Sequence, residues 1–258
     1  MTIHEIFTCI ISAEREAGEL LLQARRILAE EKSSHRDVVT AYDRRVQDLL
    51  MQRFRDLLPD ACFLCEENAV HDDPMAEHLF IIDPIDGTMN FLKHLNHSAI
   101  SVAYRSHGEL LIGVVYNPFV DELFTAIRGK GAFLNGTPIH TDTSPLTDTV
   151  VCCGTAPYWP ELADRSFQLM RTVFDNCLDI RRQGTASLDL CSIAAGRAGA
   201  YFELNLSPWD YAAGALIVEE AGGVCTAFDG SPLPYDGSKS GLLAGSPLAW
   251  QQFRDLTV

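Results

Sequence analysis

The segment His78-Leu-Phe-Ile-Ile-Asp83-Pro84-Ile85-Asp86-Gly87 constrains this chain most, because an apolar run that reads as a buried strand delivers two carboxylates to its end. Pro84 disfavours a helical conformation at Asp83, so the chain leaves the strand as an extended turn, and Gly87 lets the backbone approach a ligand closely. Both acids can then face one ion. Thr88 and Met89 open a helical turn whose free N–H groups suit a phosphate oxygen. Taken alone, the pattern is as readily an Asp-rich turn closed by glycine.

Further acids stand at element ends. Glu66-Glu67 follows the apolar run Ala61 to Cys65, although adjacent glutamates are usually only solvated. Ser207-Pro208-Trp209-Asp210 begins a helix that Gly222-Gly223 ends, and an acid in a first turn is by default a cap. Three such features in one chain shift the balance toward a shared site.

Around them, apolar residues at helical spacing predict an amphipathic helix from Ile3 to about Lys32 and another from roughly Tyr42 to Leu58, with a mobile polar loop over Glu31–Asp37. Strand-like runs at 78–82, 98–105, 110–117 and 122–127 predict an antiparallel meander. Beyond it, strands at 149–153, 179–182, 200–203 and 223–227 alternate with helices at about 161–175, 188–196 and 210–221, which argues for α/β layering. No repeat or flexible linker interrupts the chain. We expect one compact unit over 1–258, with subdomains about 1–145 and about 146–258.

The net charge of −15 would repel polyanions, so nucleic acid and anionic membrane are poor partners, but carboxylates holding divalent cations reverse the local field and can receive a phosphate ester. No apolar run approaches the roughly 20 residues of a membrane span. The N-terminal residues lack a signal-peptide pattern, and the eight cysteines read as free thiols, Cys62-x-x-Cys65 lacking a second pair at zinc spacing; a cytoplasmic location is expected. The histidines, His71 among them, form no metal pair at i, i+4 and read as surface or loop residues.

Asp83-Pro-Ile-Asp-Gly-Thr-Met-Asn-Phe91 and Trp209-Asp-Tyr-Ala-Ala-Gly214 resemble the two signature motifs of the inositol monophosphatase family, Mg²⁺-dependent and often lithium-sensitive phosphatases, and Glu66-Glu67 stands where its paired glutamates belong. These signatures are highly specific. Similarity extends through Lys32-Ser-Ser34, Asp37–Asp43, Gly129–Gly136 and Arg182 to Glu203, leaving aside about the first thirty residues and Thr155 to Asp175. Cys65, where the family usually has glycine, and Met89 depart from the pattern.

The resemblance implies a layered αβαβα sandwich with an antiparallel first sheet and a more parallel second one. It implies that Glu67, Asp83 and the Ile85 carbonyl hold one Mg²⁺, and that Asp83, Asp86 and Asp210 hold another. Two or three ions are expected, with Mn²⁺ as a substitute. Thr88, hydrogen-bonded to Asp43, would orient or deprotonate the attacking water. Asp86, Gly87, Thr88, Ala186, Glu203 and Asp210 would contact the substrate, Glu203 accepting from polyol hydroxyls. Lys32 and Asp37 would lie in a loop closing over the site, and the protein would be a homodimer. Inositol 1-phosphate is the first-choice substrate; fructose 1,6-bisphosphate, 3′-phosphoadenosine 5′-phosphate and histidinol phosphate are alternatives, and a non-catalytic metal-binding relative is the rival from another class.

Overall fold

The computed structural model describes residues 1–25, 27–68 and 72–257; His71 lies outside them. Helix α1 (Ile3–Leu22) is opened by a capping box of Thr2 and Glu5 and buries Ile6, Ile10, Ala13, Ala17 and Leu21. It stops short of the expected Lys32. Strands β1 (Ala29–Ser34) and β2 (Asp37–Thr40) instead form an antiparallel hairpin pairing Glu30 with Val39 and Glu31 with Val38. The apolar spacing runs on through Ala24, Ile27 and Leu28 and so does not mark this end, while β-branched Val38 and Val39 favour a strand and are buried there. Polarity alone had suggested a loop.

Helix α2 (Ala41–Leu57) follows, and then a seven-stranded sheet: β3 (Cys62–Cys65), β4 (His78–Asp86), β5 (Ala99–Ser106), β6 (Glu109–Asn117), β7 (Glu122–Ile127), β8 (Ala132–Leu134) and β9 (Thr137–Ile139) in that spatial order. β3 runs parallel to β4, and every later pairing is antiparallel, as the meander reading expected. Helix α3 (Thr88–Leu92) bridges β4 and β5.

The second sheet has the order β11 (Asp179–Arg181), β10 (Val150–Cys153), β12 (Ala200–Leu206), β14 (Ser240–Gly245), β13 (Val224–Ala227). β10 is parallel to β11 and β12, whereas β14 is antiparallel to β12 and β13, so this sheet is mixed and more parallel than the first, as expected. Helices α4 (Ala163–Phe174), α5 (Ala186–Ala194), α6 (Pro208–Glu220) and α7 (Pro247–Thr257) complete the chain.

Burial explains the layering. α5 and α6 are apolar nearly all round and lie in one core with Leu79, Ile81, Ala103 and Val115 of the first sheet and Cys152, Tyr201, Leu242 and Ala244 of the second. α1 and α2 cover the other face of the first sheet, where Phe54 stacks on Phe80 with ring centroids 4.3 Å apart. α4 and α7 cover the second sheet through Met170, Val173 and Phe253. The resulting order is helix, sheet, helix, sheet, helix: the expected αβαβα sandwich. All eight cysteines are free, and no described helix is long and apolar enough to cross a membrane.

Candidate active site

The end of β4 is shaped by its own sequence. Its pairing with β5 slips between Asp83 and Asp86, where Pro84 has no N–H for the ladder, and the Ile85 N–H turns back to Asp83 Oδ1 at 3.0 Å. Gly87 then takes φ +83°, and a Cβ there would come within 2.4 Å of Thr185 Oγ1. Only glycine fits that turn. It sets Thr88, whose hydroxyl lies 3.0 Å from the Ile85 carbonyl and 3.2 Å from Asp43 Oδ1 and can donate to one of them at a time.

Helix starts hold the remaining carboxylates. Asp43 closes the capping box of α2, accepting from the Thr40 N–H at 2.8 Å and the Thr40 hydroxyl at 2.6 Å. Asp210 accepts from the Ser207 N–H at 2.6 Å at the start of α6, and Asp86 accepts from the Ser187 N–H at 2.7 Å and hydroxyl at 2.6 Å at the start of α5. Free N–H groups at a helix start favour a nearby negative charge. At Asp210 the cap hydrogen bond and a place at the cleft wall coincide.

Electrostatics show how crowded these acids are. Burial, then the charges of Glu66, Asp86 and Asp210, pushes Asp83 well above the usual carboxylate range. Burial and Asp86 do the same to Asp210, while burial lifts Asp86 to about 7 against the Ser187 hydrogen bonds. Asp43 is pushed up to about 6 by burial, partly offset by Thr40.

The Lys32 ammonium, carried on the hairpin, lies 3.0 Å from Glu66 Oε1 and 2.5 Å from Glu67 Oε1. Burial opposes the charge on Lys32, but the two glutamates outweigh it and hold the ammonium above its ordinary pKa. Glu67 nonetheless rises to about 7, because burial and the neighbouring Glu66 charge outweigh one shared cation.

These groups open onto a cleft of about 560 Å³. It brings together Asp83, Ile85, Asp86, Gly87, Thr88, Ala186, Glu203 and Asp210, with Lys32 and Asp37 also at its wall. Asp43 reaches it only through Thr88. Of the two glutamates, Glu66 lines the cleft and crowds Asp83, while Glu67 has its N–H tied to Gln47 Oε1 at 3.1 Å. Consecutive residues in a turn point differently, and a Glu-Glu pair carries no signal of which faces inward.

Glu203 lies within β12 rather than at its end, and its oxygens already accept from the Ala156 N–H and the Tyr201 hydroxyl, each at 2.8 Å. The reading of the sequence also missed Ser187, Tyr158, Trp159 and Lys239. Of these, Ser187 alone had a signal, standing next to Ala186 in the matched segment.

An all-oxygen set of this kind suits a hard divalent cation such as Mg²⁺. Among the described residues no three His, Cys, Asp or Glu side chains already form a cage, and several of the acidic oxygens are engaged by Ser187, Ser207 and Lys32. The donor chemistry still fits, since buried acids that raise one another lack enough positive charge nearby.

Comparison with known proteins decides the family, for the inositol monophosphatase family matches residues 2–256. The chain belongs to the inositol monophosphatase family. As a member it is a phosphoric monoester hydrolase. Nus factor SuhB of Salmonella typhimurium (strain 14028s / SGSC 2262) is 37% identical over 233 residues, covering 88% of this chain and 87% of that protein. The extragenic suppressor protein suhB from Bartonella henselae superposes with a TM-score of 0.90 at 33% identity, covering 98% of each chain. An IMPase/NADP phosphatase complexed with Mg²⁺ and phosphate superposes with a TM-score of 0.89 at 26% identity, covering 99% of this chain and 96% of that one.

Proposed function

We propose that this protein hydrolyses a small phosphate monoester with Mg²⁺, inositol 1-phosphate being the first-choice substrate, by direct attack of water. The observation that carries this reading is the gathering of Asp83, Asp86, Asp210 and Glu66 at the foot of one cleft, where burial and neighbouring negative charge raise Asp83, Asp86 and Asp210. Glu66, Asp83 and the Ile85 carbonyl would hold one ion, and Asp83, Asp86 and Asp210 a second, with Glu67 beside them and Mn²⁺ able to replace Mg²⁺. The bound metal supplies charge neutralisation on the ester oxygens and lowers the pKa of the attacking water.

The chain's own groups position the reaction. Thr88 can accept a hydrogen bond from the attacking water while its hydroxyl proton is donated to Asp43, so Asp43 sets the direction of the Thr88 lone pairs. The N–H groups after Gly87 are suited to a phosphate oxygen. Ala186 and Glu203 border the space for the alcohol. No phosphoenzyme is needed. One working unit over 1–258 fits the core that both sheets share; a homodimer follows the family habit, and free thiols suit a cytoplasmic location.

A second reading comes from the name Nus factor SuhB, carried by relatives such as the Escherichia coli K12 protein at 36% identity: a duty in binding other macromolecules that does not require turnover. The test is phosphate release from inositol 1-phosphate, fructose 1,6-bisphosphate, 3′-phosphoadenosine 5′-phosphate and histidinol phosphate, with Mg²⁺ and with chelator. Turnover abolished by chelator supports the phosphatase reading and ranks the substrates; inertness toward all of them favours the second.

A further inference from the structure

One wall of the cleft is made by residues 156–159, and its shape depends on Glu203. Ala156 has φ +44°, in the left-handed region that disfavours any residue with a Cβ, yet it is buried and its N–H donates to Glu203 Oε1 at 2.8 Å. Gly154 lies against the same carboxylate, for a Cβ there would come within 1.9 Å of Glu203 Oε2. The Tyr201 hydroxyl fixes that oxygen at 2.8 Å. A buried carboxylate thus holds the kink.

The residues after the kink, Tyr158 and Trp159, both line the cleft. Tyr158 is 47% exposed, a large share for an aromatic ring. Burial, followed by the charges of Glu66, Asp37 and Asp210, keeps the phenol well above its ordinary pKa, so the hydroxyl stays protonated. The Lys239 ammonium lies 4.4 Å from the Trp159 ring centroid, and Arg36 donates to the Pro157 carbonyl at 3.4 Å. Glu203, Lys239 and Arg36 therefore brace an aromatic wall that reaches the carboxylates.

We propose that Tyr158 is a specificity-determining residue, offering a flat face to the alcohol part of the ester, and that Glu203 and Lys239 are positioning residues for it. The class favoured is phosphate esters of ring-bearing alcohols, whose apolar ring faces can stack on an aromatic side chain, over esters of open-chain alcohols. Glu203 then acts on selectivity through the backbone of Ala156 as well as at the substrate. The inference rests on the phosphatase reading of this cleft.

The test compares kcat and KM for inositol 1-phosphate and glycerol 2-phosphate in the wild type, Tyr158→Ala and Tyr158→Phe, with Mg²⁺. The wild type is expected to prefer the ring ester, and Tyr158→Ala to reduce that preference about fivefold or more through KM, while Tyr158→Phe, which keeps the ring, retains it. Absence of a ring preference in the wild type, or an unchanged ratio in Tyr158→Ala, would overturn the proposal. If both esters are inert, the phosphatase reading itself fails and the proposal falls with it, an outcome told apart by the silence of glycerol 2-phosphate.

Discussion

The floor and the rim of the cleft are built on opposite principles. Asp83, Asp86 and Asp210 are fixed by the ends of regular elements, the close of β4 and the starts of α5 and α6, with backbone N–H groups holding Asp86 and Asp210. The rim, the β1–β2 hairpin and residues 156–159, is held by side chains reaching across space: Lys32 to two glutamates, Arg36 to Pro157, Glu203 to Ala156. Local sequence dictates Asp83 and Asp210, each tied to a backbone N–H within three residues, while Asp86 also relies on Ser187 from the second half of the chain. Long-range contacts dictate the rim, and rims of this kind are where a shared scaffold can change its substrate.

If the floor carries the chemistry, damage there should exceed damage at the rim. Asp210→Asn keeps the size of the side chain but removes a charge from the proposed second ion, and turnover with Mg²⁺ should fall on the order of a thousandfold; a loss under tenfold in steady-state kinetics would break the contrast. Glu66→Gln should raise the Mg²⁺ concentration needed for half-maximal activity by roughly 10–100-fold, and Glu67→Gln by only a few-fold. The reverse ranking would return the role to Glu67.

Gly87→Ala sharpens the same comparison through stability. The left-handed backbone and the close Thr185 hydroxyl should together cost about 2 kcal/mol or more, a fall in Tm of roughly 4–8 °C. A thermal melt indistinguishable from wild type would show that the turn has room.

The smallest expected effect is one of pH. Asp43 at about 6, and Glu67 and Asp86 at about 7, all lie above ordinary carboxylates, so the folded state holds these protons more tightly than the unfolded chain. Stability from them is fully present below the unfolded values near 4 and is lost as pH rises toward 7. In chelator, Tm should therefore decline across that window relative to the same scan in Mg²⁺, where a cation takes the place of the protons. Parallel calorimetric profiles in the two conditions would contradict the crowded-floor description.

The legibility of the sequence follows the same division. Asp83-Pro-Ile-Asp-Gly87 announced its turn because proline and glycine act locally, and Asp210 announced a helix start for the same reason. The meander was readable from its apolar runs. The hairpin was not, since its strand residues Glu30, Glu31 and Lys32 are polar and only Val38 and Val39 hint at pairing. Strand β14 and helix α7 escaped notice behind the Ser-, Gly- and Pro-containing stretch that precedes them, as did the short β8 and β9. Which of two adjacent glutamates faces inward, and that Glu203 would brace Ala156, depend on tertiary contacts that no local pattern encodes.

The most direct test of the central claim is to locate the ions, using Mn²⁺ in place of Mg²⁺ and its anomalous scattering in a crystal. The account predicts peaks at roughly 2.1 Å from carboxylate oxygens of Asp83, Asp86 and Asp210, with one of them also touching Glu66. Peaks confined to surface acids, with these carboxylates bare, would contradict it.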